Sequence, residues 1–171
     1  MHLKVIGTLE NKGPYEHLLK DLAAGKDVVY TYLGTEMGTS ARDSLLAKEY
    51  SSALVTVLPS VYRDVYGHTS WSSELLGLVL LESMACGTPV ICTQVGGMPE
   101  LVKDGETGFV VPPNDPVSIR EKITLLQSHP DLAREMGERG RELVRKDFTW
   151  DRTAERCIHA YARHHPANLV R

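Results

Sequence analysis

The stretch Ser73-Glu74-Leu75-Leu76-Gly77-Leu78-Val79-Leu80-Leu81-Glu82-Ser83-Met84-Ala85-Cys86-Gly87-Thr88-Pro89 carries the reading of this chain. A helix over 77–86 has apolar residues on nearly every side and is expected to be buried. Val90-Ile91-Cys92-Thr93 follows at once and reads as a buried strand. The anomaly is Glu82, because an unpaired carboxylate in a buried helix costs several kcal/mol. Either it joins an internal ion pair or backbone cap, or it lies at the mouth of a dry pocket and accepts hydrogen bonds from sugar hydroxyls. Gly77 also has two readings: it lets an anion approach the free N–H groups of the helix start, or it simply packs closely.

Working outward, short apolar runs alternate with amphipathic ones. Residues 3–7 read as a strand, 14–24 as a helix, 27–33 as a strand and 40–50 as a helix. The first helix places Tyr15, Leu18, Leu19 and Leu22 on one face, with Gly25 as its C-cap. The strand over 53–58 has no alternation, so it belongs in the middle of a covered parallel sheet. After residue 93 come a Gly96-Gly97 turn, a short helix starting near Pro99, and a strand over 108–111 stopped by Pro112-Pro113. Repeated β and α units on this spacing make a doubly wound, Rossmann-like parallel α/β sheet. Three helices close the chain over 116–127, 130–146 and 151–163, each behind a start signal: Asn114-Asp115-Pro116, Ser128-His129-Pro130 and Thr149-Trp150-Asp151. They are expected to pack over one edge of the sheet, giving one domain over 1–171 with its sheet core at about 2–113 and its closing helices at about 115–163.

Composition narrows the function. The 171 residues are 42% hydrophobic and 24% charged with a net charge of -3, enough for one sizeable core. No basic stripe suits nucleic acid, so the expected partner is a small molecule or another protein surface. The longest apolar runs, 53–57 and 75–81, fall far short of the roughly 20 residues that span a bilayer. The N-terminus lacks the apolar core and cleavage site of a signal peptide, so a cytoplasmic location is expected. Cys86, Cys92 and Cys157 are read as reduced core thiols, and the seven histidines show no metal-ligand spacing.

Ligands of open α/β sheets bind beyond the carboxyl ends of the strands. The segment 59–73, PSVYRDVYGHTSWSS, lies there and is long for a loop inside a compact domain.

At this point the residues resemble a known family. Glu74 and Glu82, with Gly77-Leu78-Val79 between them and Met84-Ala85-Cys86-Gly87-Thr88-Pro89-Val90 behind, look like the signature of retaining, nucleotide-sugar-dependent glycosyltransferases of the GT-B fold, group 1. Tyr50-Ser51-Ser52-Ala53, Leu58-Pro59-Ser60, Gly96-Gly97-Met98-Pro99-Glu100-Leu101-Val102, the segment 104–112 and Phe148-Thr149-Trp150-Asp151 extend the likeness. The family has two Rossmann-like halves, and this chain resembles only the C-terminal, donor-binding half; the resemblance implies an N-terminal acceptor domain that is expected to be absent from this chain. The resemblance implies that Glu74 contacts the donor sugar near the reacting carbon. Leu76, Gly77, Leu78 and Val79 would bind sugar and distal phosphate through their backbone, and Glu82 would bind the nucleotide ribose. Gly96 and Gly97 match a tight turn near the cleft, with a purely backbone role at least as apt. Base contacts would come from backbone around 33–36, with Leu33 and Gly34 as candidates.

Three features depart from the family pattern. The link over 61–73 is longer, which makes Tyr62, Arg63, Tyr66, His68 and Trp71 candidates for specificity or a lid, against plain solvated loop. Leu76 stands where an aromatic is common. The arginine and lysine that neutralise the donor diphosphate lie, in the family, upstream of the strand matching 3–6. The resemblance therefore implies retaining transfer by front-face displacement with a nucleotide-diphosphate sugar as donor substrate, no metal and no other cofactor, and no activity from this half alone. The partners implied are the nucleotide sugar and the missing N-terminal domain; any peripheral membrane association falls to that absent half. Two alternatives remain: a non-catalytic nucleotide-sugar-binding module or partner subunit, and a GT-B-like epimerase, against which the Glu74-to-Glu82 spacing argues.

Overall fold

The computed structural model describes residues 2–7, 14–33, 38–70 and 74–164. The chain divides into two compact units, Met1–Leu46 and Ala47–Arg171. In the first, β1 (Leu3–Gly7) and β2 (Val28–Tyr32) pair in parallel, Leu3 opposite Val28 and Gly7 opposite Tyr32, joined by α1 (Pro14–Ala23). The β-branched and aromatic run of β2 suits a pleated, half-buried surface. The Tyr30 hydroxyl donates to the Leu19 carbonyl at 3.0 Å and ties helix to sheet. Leu18 and Leu19 are half-buried, but Leu22 is exposed, so the predicted apolar face turns inward only in part.

Helix α2 (Thr39–Ser52) leads into the second unit, which continues with β3 (Thr56–Leu58), α3 (Leu78–Ala85), β4 (Val90–Thr93), α4 (Met98–Leu101) and β5 (Gly108–Val111). Three closing helices follow: α5 (Pro116–Ser128), α6 (Pro130–Asp147) and α7 (Trp150–His164). The strands pair in parallel in the order β3-β4-β5. Expectation and structure differ over the central strand. β3 is shorter than the run 53–58, Ala53 and Leu54 being exposed, and the fully buried middle strand is β4.

The period of two along β4 builds both halves of the core. Val90 and Cys92 point to one face and pack with Leu80 and Met84 of α3 and Met98 and Leu101 of α4. Ile91 points to the other, with Phe109 and Val111 of β5, Leu126 of α5 and Ala133 and Met136 of α6. Helices on both faces of a parallel sheet are the doubly wound arrangement that the alternating pattern implies.

Helices α3 and α6 approach closely because α6 carries glycines at the contact: a Cβ on Gly137 would stand 2.0 Å from the Gly87 carbonyl oxygen. Arg141 of α6 closes the C-terminus of α3, Nε donating to the Ala85 carbonyl at 3.2 Å and Nη2 to that of Cys86 at 2.9 Å. At the start of α5 the Asp115 carboxylate accepts the N–H groups of Val117 and Ser118 at 3.1 and 3.0 Å. The Ser118 hydroxyl adds a third bond, and together these hold the Asp115 carboxyl below the usual range.

Helix α5 packs on β5 and α6, but α7 does not join them as a buried layer. Every described side chain from Trp150 to Arg163 is exposed, and Arg152 anchors the helix by donating to the Lys146 carbonyl at 3.1 Å. The cysteines follow suit: Cys92 is buried, Cys86 half-buried and Cys157 exposed, so only the first is a core thiol throughout.

Candidate functional site: the start of α3

Helix α3 begins at Gly77, which sits in the left-handed region at φ 75° and ψ 54°. The glycine is buried, and a Cβ there would meet Leu80 Cδ1 and Met98 Cγ at 3.1 Å and Leu58 Cδ2 at 3.2 Å. Its backbone angle disfavours any side chain, and its neighbours would have to give by a few tenths of an ångström to admit one, which supports the packing reading of Gly77. The same choice leaves the helix without a side chain at its N-cap, and no side-chain oxygen among the described residues covers the first-turn amides of Leu78 and Val79. An uncapped start carries the positive end of the helix dipole.

The helix does not bury itself on nearly every side, which corrects the expectation from its composition. Leu80, Ser83 and Met84 face the core at helical spacing, whereas Leu78 is 62% exposed and Val79 and Glu82 are exposed beside it. A helix laid on one face of a sheet buries a single stripe, whatever the residues elsewhere on it. Glu82 therefore lies on the open face of α3 rather than in the core.

Its carboxylate nonetheless has a definite neighbour. The Tyr50 hydroxyl, from the last turn of α2, donates to Glu82 Oε2 at 3.1 Å. Burial, then the Glu82 charge and this hydrogen bond, push the Tyr50 phenol well above the usual tyrosine range. Among the described residues no cation pairs with Glu82, so the internal ion pair is not formed there.

Glu74 lies on the approach to the helix and turns one oxygen inward: Oε1 accepts the Gly77 N–H at 3.0 Å. The Gly96-Gly97 turn then clamps this segment from the other side. The Gly97 N–H donates to the Leu75 carbonyl at 2.9 Å. A Cβ on Gly96, at φ 56°, would stand 1.8 Å from the Glu74 carbonyl oxygen, and one on Gly97 2.6 Å from that of Leu75. The two glycines thus serve through backbone contact, and the structure brings Glu74, Leu75, Leu76, Gly77, Gly96 and Gly97 together. Leu75 and Leu76 are exposed.

The long segment after β3 has structure of its own. Tyr62 to Ser70 form a small hairpin, with Ser70 N–H donating to the Tyr62 carbonyl at 2.8 Å and Asp64 N–H to that of His68 at 3.0 Å. At its tip the Asp64 carboxylate accepts the N–H groups of Tyr66 and His68 at 2.9 and 2.8 Å, with His68 Nδ1 at 3.1 Å. Desolvation, the largest single influence on Asp64, pushes upward, but these bonds outweigh it and hold the carboxyl below its usual range. The hairpin is tied to the site by Tyr62, whose hydroxyl accepts the Gly96 N–H at 3.0 Å. At its root, buried Thr93 donates to the Ser60 carbonyl at 2.5 Å. Trp71 lies outside the described residues.

In the first unit the Leu33 N–H is engaged with the Gly7 carbonyl at 3.0 Å, and Gly34 lies outside the described residues. Tyr62 stands in the sequence as one candidate of the long link and Tyr50 as part of a matching motif, but the partner of neither is legible there. Each acts on a residue more than 30 positions away, which no local pattern encodes.

The doubly covered parallel sheet, with a glycine-led helix start flanked by two glutamates, is the arrangement of one Rossmann-like half of the GT-B fold. The sequence profile described as glycosyl transferases group 1 matches residues 1–143, and the chain belongs to that family. It is similar to the alpha-maltose-1-phosphate synthase of Mycolicibacterium smegmatis, 41% identical over 117 residues that make up 65% of this chain and 27% of the synthase. An MMP alpha-(1->4)-mannosyltransferase of Mycolicibacterium hassiacum is 30% identical over 94% of this chain and 35% of its own length. Among solved structures, the sucrose-phosphate synthase of Thermosynechococcus elongatus superposes with a TM-score of 0.74 at 31% identity, over 98% of this chain and 39% of that one. The chain thus spans about a third or less of the curated relatives it matches here.

Proposed function

We propose that this chain is the donor-binding half of a retaining glycosyltransferase, which transfers a sugar from a nucleotide-diphosphate sugar to an acceptor hydroxyl. The observation that carries this reading is the start of α3: first-turn amides with no side-chain cap among the described residues, between two glutamates, at a segment fixed by Gly77 and the Gly96-Gly97 turn. Anions are stabilised at such a helix start by the free N–H groups and the dipole. On this reading the donor diphosphate lies over Leu78 and Val79, Glu82 receives ribose hydroxyls, and Glu74 offers the oxygen that Gly77 does not hold to the donor sugar. Dipoles fixed before the reaction stabilise charge on the departing diphosphate without reorganising, which is the contribution this half makes to catalysis. The residues at hand form no DxD pair, and the reading requires no metal. Front-face displacement with retention is adopted from the resemblance.

The short span relative to its relatives supports a second proposal, that the acceptor side of the cleft belongs to sequence outside this chain and that these 171 residues bind donor without transferring sugar. Calorimetry with UDP-glucose, GDP-mannose and ADP-glucose tests the binding, and a radiolabelled-sugar transfer assay tests the inactivity. Glu82→Gln is expected to weaken binding of the bare nucleoside diphosphate as well as of the sugar nucleotide, whereas Glu74→Gln weakens chiefly the latter. Binding of none of the three donors sinks the donor-half reading, and sugar transfer by the isolated chain sinks the claim that it is inactive. If donor binds but an added N-terminal half restores no transfer, the chain is a nucleotide-sugar-binding module.

A further inference from the structure

The carboxylate of Glu82 stands on an exposed helix face, unpaired with any cation among the described residues, yet one of its oxygens is engaged. A glutamate in that setting ordinarily samples several rotamers and loses that freedom when it binds a ligand. Here Tyr50 restrains it. The phenol reaches Oε2 from the last turn of α2, at 3.1 Å, and leaves Oε1 with no hydrogen bond to a described residue.

The tyrosine is itself fixed at a second point. The hydroxyl of Thr88, which is buried, donates to the Tyr50 carbonyl at 2.6 Å. The far side of α3 is pinned by the neighbouring residue, Ser83, whose hydroxyl donates to Thr56 Oγ1 at 2.8 Å. Donor and acceptor of the Tyr50–Glu82 bond are therefore both mounted on held backbone, and the bond sets the direction of a side chain rather than joining two loose ones. Burial and the adjoining carboxylate keep the phenol protonated through neutral pH, so it remains a donor there.

We propose that Tyr50 is a positioning residue for Glu82, holding Oε2 so that Oε1 is presented to the vicinal hydroxyls of a nucleotide ribose. The inference rests on the reading of Glu82 as the ribose contact and adds the residue that orients it. Its consequence is selective: the phenol acts on the ribose hydroxyls through Glu82, and leaves the phosphates and base untouched.

The test is calorimetric titration of the 171-residue chain with UDP, GDP and ADP and with the 2′,3′-dideoxy form of each, for the unsubstituted protein, Tyr50→Phe, Glu82→Gln and the double variant. Far-UV circular dichroism and a thermal melt establish that each variant is folded; Tyr50→Phe keeps the ring and removes only the hydroxyl. Loss of one orienting hydrogen bond is expected to weaken the ribose-bearing diphosphate that binds best by about threefold to tenfold, with its dideoxy form unchanged. The double variant is expected to bind no worse than Glu82→Gln alone, because the phenol acts through the carboxylate. Equal weakening of ribose and dideoxy forms, additive losses in the double variant, or an unaffected Tyr50→Phe beside a weakened Glu82→Gln each overturns the role of Tyr50 while leaving Glu82 as the ribose contact. An unaffected Glu82→Gln overturns the reading of Glu82 itself, and binding of none of the diphosphates overturns the donor site.

Discussion

Replacing Gly77 by alanine separates two costs that the structure assigns to this position. The first is the backbone: at φ 75° an L-residue meets its own carbonyl, at about 1–2 kcal/mol. The second is the site, where the new methyl would lie 3.1–3.2 Å from Leu80 Cδ1, Met98 Cγ and Leu58 Cδ2. All three are side-chain atoms that can give by a few tenths of an ångström, so the crowding belongs in the lower part of the about 1–3 kcal/mol usual for an overpacked core. Gly105 supplies the control, since its φ is 76° and nothing lies within 4 Å of its Cβ position. Both glycines lie in the unit Ala47–Arg171, so one unfolding transition reports on both. Gly105→Ala is expected to lose about 1–2 kcal/mol and Gly77→Ala about 2–4, read from urea unfolding followed by far-UV circular dichroism. If Gly77→Ala loses no more than Gly105→Ala, the glycine is there for its backbone angle alone and the packing argument fails.

Gly137→Ala is expected to destabilise more than Gly140→Ala in the same assay. The first methyl would press on a backbone oxygen at 2.0 Å and force α3 and α6 apart, whereas the second meets the flexible side chain of Met84 at 3.1 Å; equal losses would show that the helices separate without cost. Thiol labelling with Ellman's reagent at pH 8 is expected to modify exposed Cys157 in the native protein and Cys92 only after unfolding. Burial, then the charge of Asp104, pushes the Cys92 thiol up to about 11, and the thiolate is the reacting form. A native-state reaction that Cys157→Ser fails to slow would contradict this.

The sequence determined the elements and their type. Hydrophobic period separates short apolar strands from amphipathic helices, and Asp115 was legible as a helix cap because capping is a local act between residues two and three positions apart. The glycine-led start of α3 with its flanking glutamates was legible for the same reason, since it lies within one short segment. Composition misled where burial depends on neighbours: α3 is apolar almost all round, but a sheet offers it only one surface, so Leu78 and Val79 remain open beside Glu82. The cysteine of α7 reads as core from its pattern and is exposed, because an amphipathic pattern states which face could be buried and not whether a partner is present.

Only the tertiary structure decided how the site is held. The Gly96-Gly97 turn lies against the Glu74–Leu75 backbone, Tyr62 carries the hairpin to Gly96, and Tyr50 reaches Glu82 across 32 positions of sequence. Such contacts follow from strand order and helix packing, which place distant residues side by side without leaving a mark in the local pattern of either. Local geometry is written in neighbouring residues, while the orientation of a functional carboxylate depends on whatever the fold brings next to it.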